Sequence, residues 1–122
     1  MNWLWVFIGG GIGSVGRFAL SMAFNGVVVL FPWPTLIANV LATIVIGVLY
    51  FFGIKSHPGS IWPLLATGFC GGLSTFSAFS LETFQLLRQG SWWLASFNVL
   101  ISCAACIFIL FVLSRMLSSG EL

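Results

Sequence analysis

With 122 residues, of which 60% are hydrophobic and 5% charged, the chain carries far less charge than a water-soluble domain, where about a quarter of residues are charged. At roughly 20 apolar residues per bilayer-spanning helix, this length is filled by about four spans and leaves no room for a soluble catalytic domain. The net charge of +2 is scattered over Arg17, Lys55, Arg88 and Arg115 against Glu82 and Glu121, too thin for a nucleic-acid site or an anionic-lipid patch.

The first span is expected over residues 3–23. No Lys or Arg precedes it, so it lacks the basic flank of a cleavable signal and should stay in the membrane. Its centre, GGGIGSVGR (residues 9–17), holds a Gly9/Gly13 pair at the spacing that lets two helices approach closely. Arg17 follows inside the same span. A guanidinium there costs about 2.5–3.5 kcal/mol on insertion scales unless it snorkels to water or meets carbonyls or an anion.

A linker containing Asn25, Gly26 and Pro32 leads to the second span, residues 34–52, which opens on Pro34, where a missing amide hydrogen does no harm. Thr35, Asn39, Thr43 and Gly47 recur every four residues and share one face. That face avoids lipid, either by bonding a neighbouring helix through Asn39 or by lining a pore. Residues 53–61 make the polar loop, with Lys55, Ser56, His57 and Pro58, and His57 reads as solvated.

The third span, residues 62–87, contains GFCGGLSTFSAFSLETF (residues 68–84). Gly71 and Gly72 weaken helix preference, and Ser74, Thr75 and Ser77 offer hydroxyls that compete for backbone partners, so the helix is expected to break between Gly71 and Thr75. Broken backbone at bilayer depth survives only inside protein or along a polar cavity, which marks this stretch as an ion or substrate site. Phe76, Phe79, Ser80 and Thr83 share one face of the following helix, with Glu82 beside them. Trp92 and Trp93 anchor the fourth span, residues 92–116, at the interface. Along it Asn98, Ser102, Cys106 and Ser114 fall on one four-residue lattice, with Leu110 in the remaining place.

Two polar stripes and a broken helix must be kept from lipid, and a homo-oligomer does this more economically than four helices alone. Threading the spans puts Lys55, Arg115 and the amino terminus on one side and Arg88, with Arg17 if it snorkels, on the other. The positive-inside bias is almost nil, and the expectation is a dimer of oppositely oriented subunits. Cys70, Cys103 and Cys106 lack His or carboxylate company and read as small buried side chains rather than metal ligands. No nucleophile, base and acid set is visible, so an enzyme is not expected.

Transport or conduction remains. Thr35, Asn39, Thr43, Ser74, Thr75, Ser77 and Ser102 are hydroxyls and amides that can donate to an anion or accept from a neutral solute. Phe76 and Phe79 are core filler by default, yet their ring edges are electropositive and suit a small dehydrated anion. Carbonyls freed near Gly71 and Ser74 are hard ligands for sodium or potassium, and two opposed copies meeting on a twofold axis would double them.

The segments at residues 9–17, 35–47 (TLIANVLATIVIG) and 68–82 resemble, in order and spacing, the bacterial CrcB/Fluc fluoride channels. The resemblance implies an all-α membrane protein with four transmembrane helices. It also implies an antiparallel, dual-topology homodimer in the bacterial plasma (inner) membrane, with two pores exporting fluoride passively from the cytoplasm. A structural sodium ion would be held by the backbone carbonyls of Gly71 and Ser74 from each subunit. Phe76 and Phe79 match the family's paired phenylalanines, Asn39 its pore asparagine and Arg17 its vestibule arginine, while Thr35, Thr75, Ser102 and Cys106 would lie along or beside the polar track. Ala78 stands where many members carry threonine, and Cys106 where a serine is expected. A small multidrug exporter, also four short spans, would need a membrane-embedded glutamate in span one, which is missing. A noncatalytic assembly subunit would use the same glycines and hydroxyls for packing alone.

Overall fold

Inside a bilayer each amide must find its partner within the protein, and a helix meets that demand within its own segment. In the computed structural model, which describes residues 1–26, 30–54 and 59–118, the apolar runs wind accordingly. They form α1 (Asn2–Ala23), α2 (Trp33–Phe51), α3 (Trp62–Cys70), α4 (Gly71–Leu73), α5 (Phe76–Arg88) and α6 (Trp92–Ser118). Lys55, Ser56, His57, Pro58 and Glu121, assigned above to loops and to the charge balance, lie outside the described residues. Four stretches are long and apolar enough to cross a membrane: Asn2–Ala23, Trp33–Phe51, Trp62–Arg88 and Trp92–Ser118. Each begins and ends within two residues of the expected span.

Local chemistry sets the ends. Pro34 occupies the first turn of α2. After α5, Gly90 takes a positive φ of 79°, its N–H donating to Leu87 O at 3.0 Å while Ser91 N–H reaches back to Leu86 O at 2.9 Å. That pair of bonds closes the last turn and needs a residue without Cβ at the left-handed position.

Small residues set the packing. Gly9 and Gly13 of α1 are buried against α3 and α4, and a Cβ on Gly68 would lie 2.8 Å from Val6 O and 3.0 Å from Gly10 N. The glycines of both segments thus let backbone meet backbone. A second seam joins α2 to α6, where Gly47 receives Leu110 and Leu113. Between them Ala38, Ala42, Cys70 and Leu73 form the core, flanked by Leu20, Val45, Ile46 and Phe69.

Two features differ from the sequence expectation. Residues Trp62–Cys70 wind as a π-helix, a rare form that hydrophobic spacing does not distinguish from an α-helix. The glycines, in turn, do not interrupt the chain: Gly71 is helical, with φ −65° and ψ −34°, and α4 runs on to Leu73. Only Ser74 (φ −79°, ψ 151°) and Thr75 (φ −153°, ψ 123°) are extended. The hydroxyls are responsible. Ser74 Oγ donates back to Cys70 O at 2.7 Å, and Thr75 Oγ1 caps α5 by accepting from Ala78 N–H at 3.2 Å, the role for which threonine is favoured at a helix start. Gly72 serves close approach instead, its Cβ position falling against Gly10 O.

Because Gly68 sits on backbone while Gly11 faces open space, the two glycines should respond oppositely to one added methyl. Gly68→Ala is expected to cost about 1–3 kcal/mol or more through overpacking, and Gly11→Ala to be neutral or stabilising by about 0.5–1 kcal/mol. Thermal unfolding of the two variants in detergent checks this, and equal melting temperatures would refute the close-approach role.

Candidate functional site

The site begins with one diverted hydrogen bond. In an unbroken helix Thr75 N–H would donate to Gly71 O; here it donates to Asn39 Oδ1 at 3.0 Å, joining α2 to the interruption. Ala78 N–H, whose helical acceptor would be Ser74 O, goes to Thr75 Oγ1 instead. Gly71 O and Ser74 O have therefore both lost their helical donors. Gly71 is exposed, and both residues line a cavity of ≈ 190 Å³ with Ala42, Thr43, Ile46, Ala66 and Cys70. Neutral carbonyls without a carboxylate beside them suit a hard cation of low charge, and among the described residues no three His, Cys, Asp or Glu side chains stand together for a transition metal. The donors thus fit an alkali cation.

Asn39 faces a second cavity, of ≈ 320 Å³, together with Thr43, Ser74, Thr75, Phe76, Phe79, Ser102, Cys103 and Cys106. With Oδ1 committed to Thr75, the group Asn39 has left to offer is its NH₂, a donor. Thr43 spends its hydroxyl on Asn39 O at 2.7 Å. Thr75 Oγ1 lies 3.1 Å from Ser77 Oγ. The Phe76 and Phe79 rings stand 5.8 Å apart between centroids, tilted by 38°, and Phe76 is 79% exposed in the single chain. Among largely apolar walls, the polar groups here carry no formal charge.

Behind the cavity runs a buried chain of hydrogen bonds. Ser102 Oγ donates to Asn98 Oδ1 across a long 3.4 Å, Asn98 Nδ2 donates to Thr83 Oγ1 at 2.9 Å, and Thr83 Oγ1 donates to Phe79 O at 2.8 Å. Asn98 is 1% exposed. It ties α6 to the backbone of Phe79, so the position of one ring depends on it. The sequence lattice placed Asn98 on the right stripe without revealing Thr83 as its partner.

Two expected site residues lie elsewhere. Thr35 does not line the Asn39 cavity; it is buried and donates to Glu82 Oε1 at 2.7 Å. Arg17 is half-buried, and its Nε donates to Gly72 O at 3.2 Å. Of the two means of lowering its cost, meeting a carbonyl is the one observed. Glu82 Oε2 is buried without a hydrogen-bond partner. Glu82 also borders a cavity of ≈ 500 Å³ with Ser21, Asn25, Gln85 and Gln89. Sequence reasoning missed this chamber, although Glu82, Gln85 and Gln89 fall on one helical face and could have been read as one.

The cysteines correct another expectation. Cys70 is buried, as a small apolar side chain would be, but Cys103 is exposed and Cys106 half-buried, because both stand on the cavity side of α6.

Four apolar helical spans define a multi-pass membrane protein, and they carry an uncharged cavity lined by Asn39, Phe76, Phe79 and Ser102. The sequence profile described as "CrcB-like protein, Camphor Resistance (CrcB)" matches residues 4–114, and the chain belongs to this family. Relatives named "Fluoride-specific ion channel FluC" from Salmonella arizonae, Salmonella paratyphi B and Salmonella newport are each 48% identical over 99 residues, which is 80% of this chain and 78% of theirs.

Replacing Asn98 by leucine removes its amide from both Thr83 and Ser102. Thr83 keeps its bond to Phe79 O, but buried Ser102 loses its acceptor. A buried group left without a partner costs about 1–3 kcal/mol, so Asn98→Leu should lower the unfolding temperature, whereas Asn98→Gln should restore part of the loss. Thermal unfolding in detergent reads both, and an unchanged melting temperature for Asn98→Leu would show the chain to be idle.

Proposed function

We propose that this chain is one subunit of a fluoride channel, an antiparallel dual-topology homodimer in the bacterial inner membrane that lets fluoride leave the cytoplasm passively around a structural sodium ion. The observation that carries the reading is the Asn39 cavity: an amide held as a donor, hydroxyls and paired phenylalanine edges in one apolar enclosure. The name borne by the relatives points to fluoride within that chemistry.

A small anion entering the cavity exchanges water for donors that are already in place. Asn39 supplies its NH₂, because Thr75 N–H holds the opposite end of the amide. Ser102, loosely bonded to Asn98, can turn its O–H inward, and the O–H of Thr75 is shared between Ser77 and the ion. Ring edges of Phe76 and Phe79 add positive potential without a formal charge, so the anion is attracted yet not trapped, as conduction requires. Cys106 offers a weaker S–H donor where the family favours serine. Arg17, Thr35 and Glu82 lie off this cavity, and their place is the approach to it. An inside-negative potential contributes about 2.3 kcal/mol per elementary charge per 100 mV, which drives an uncoupled anion outward.

Opposed subunits suit the exposed Phe76 ring and the open space over Gly71, both of which a second copy would cover. Two copies would also bring Gly71 O and Ser74 O together with their twofold mates, giving a sodium ion four carbonyls in place of two. When bound, the ion supplies a fixed positive charge between the two pores.

Fluoride efflux from proteoliposomes, followed with a fluoride electrode, tests the assignment. Phe76→Ile and Phe79→Ile should each slow efflux by about tenfold or more, equivalent to about 1.4 kcal/mol on the barrier, and normal throughput in both would defeat the ring roles. Electroneutral, proton-coupled efflux of a bulky cation would instead support an exporter, and no transport of either kind an assembly subunit. Exhaustive exchange of sodium for N-methylglucamine should lower the dimer fraction in size-exclusion chromatography and reduce efflux; indifference of both would remove the sodium ion from the account.

A further inference from the structure

Cys103 and Cys106 bracket two alanines on α6, and both thiols line the cavity that holds Asn39, Phe76 and Phe79. Residues three apart on a helix are neighbours, with Cβ atoms about 5–6 Å apart, close enough for two Cβ–S arms to converge on one ion. Both are free thiols. Among the described residues no third His, Cys, Asp or Glu joins them, so the pair does not make the four-ligand shell of zinc but does suit a soft ion that is content with two sulfurs. Cys70, buried in the core, faces the separate cavity beside Gly71.

We propose that Cys103 and Cys106 form a two-coordinate binding site for a thiophilic metal cation such as Hg(II), Ag(I) or Cu(I), and that its occupation closes the cavity to anions. Binding replaces two S–H bonds by two S–metal bonds and releases two protons. A divalent ion leaves the site neutral but filled. A monovalent ion leaves it with one net negative charge, which repels an anion in surroundings where little water screens it. The bridge itself depends on the cavity geometry alone, whereas the block rests on the conduction reading given above.

Hg(II) is the probe. Full-length protein in detergent, given one equivalent and then challenged with a monothiol, should keep one mercury per chain by native mass spectrometry. Cys103→Ser and Cys106→Ser should each weaken retention by on the order of 10²-fold or more, since each loses the second, intramolecular thiol, and Cys70→Ser should retain the metal as the parent does. In proteoliposomes Hg(II) should cut fluoride efflux of the parent protein by about tenfold or more, with recovery on adding a small dithiol. Loss of mercury to the monothiol by the parent protein, retention by both serine variants equal to the parent's, or loss in Cys70→Ser would overturn the site. Retention with undiminished efflux would overturn the block. Absence of efflux before mercury is added would sink the channel reading instead, and the retention measurements would still decide the site.

Discussion

One hydrogen bond, from Thr75 N–H to Asn39 Oδ1, organises the rest of the site. In lipid an amide released from its helix has no water to turn to, and an orphaned one costs several kcal/mol. The Asn39 side chain meets that cost, and the same contact does three further things. It separates α4 from α5, leaves Gly71 O without its helical donor, and fixes the asparagine so that its NH₂ is the free end. Freed carbonyls and a fixed amide donor thus arise together from a single break.

The glycine seams explain how the break meets its polar partners. Gly9 and Gly13 on one side, and Gly68 and Gly72 on the other, bring α1 against the backbone of the third span. That approach lets Arg17 reach Gly72 O, whose helical donor would have been Phe76 N–H had the helix continued. A long charged side chain is thereby used to satisfy a carbonyl that the interruption exposes. Packing and polar satisfaction are here one arrangement, since a wider helix spacing would move the guanidinium away from its acceptor.

Much of this was legible in the sequence because membrane helices announce themselves by length and apolarity, and because a serine and threonine run in an apolar stretch has few explanations. The stripes carrying Asn39 and Ser102 follow directly from four-residue spacing. The cause of the break was legible only in part: the competing hydroxyls of Ser74 and Thr75 were read from the sequence, the helical state of the two glycines was not. Gly71 and Gly72 looked like helix breakers, but they are helical; Gly72 stands at a helix crossing and is there for what it lacks, its Cβ position falling against Gly10 O. The π winding of Trp62–Cys70 is invisible to periodicity, as it changes the hydrogen-bond step and not the composition. Thr35 was placed on the right face but bonds to Glu82, a partner 47 residues away that spacing within one helix cannot supply. Cys103 misled for a similar reason, because composition treats a thiol in an apolar run as filler, whereas Cys106 already stood on the four-residue lattice of Asn98 and Ser102 that faces the cavity.

The absence of formal charge around the Asn39 cavity is a constraint as much as a convenience. An arginine there would bind an anion strongly and hold it, since Coulomb attraction grows as water is excluded. A carboxylate would repel it. On the proposed reading, amide and hydroxyl donors lie between these limits, each worth little alone, and an amide held in place before the ion arrives needs little reorganisation at the moment of passage. The charged groups of the spans keep to that rule: Arg17 is spent on Gly72 O, and Glu82 turns one oxygen to Thr35 and borders the other chamber. Among the described residues, Glu82 Oε2 is a buried side-chain oxygen without a hydrogen-bond partner. Glu82 is three residues from Phe79 on α5 and so neighbours that ring, yet it lines the other chamber and not the Asn39 cavity.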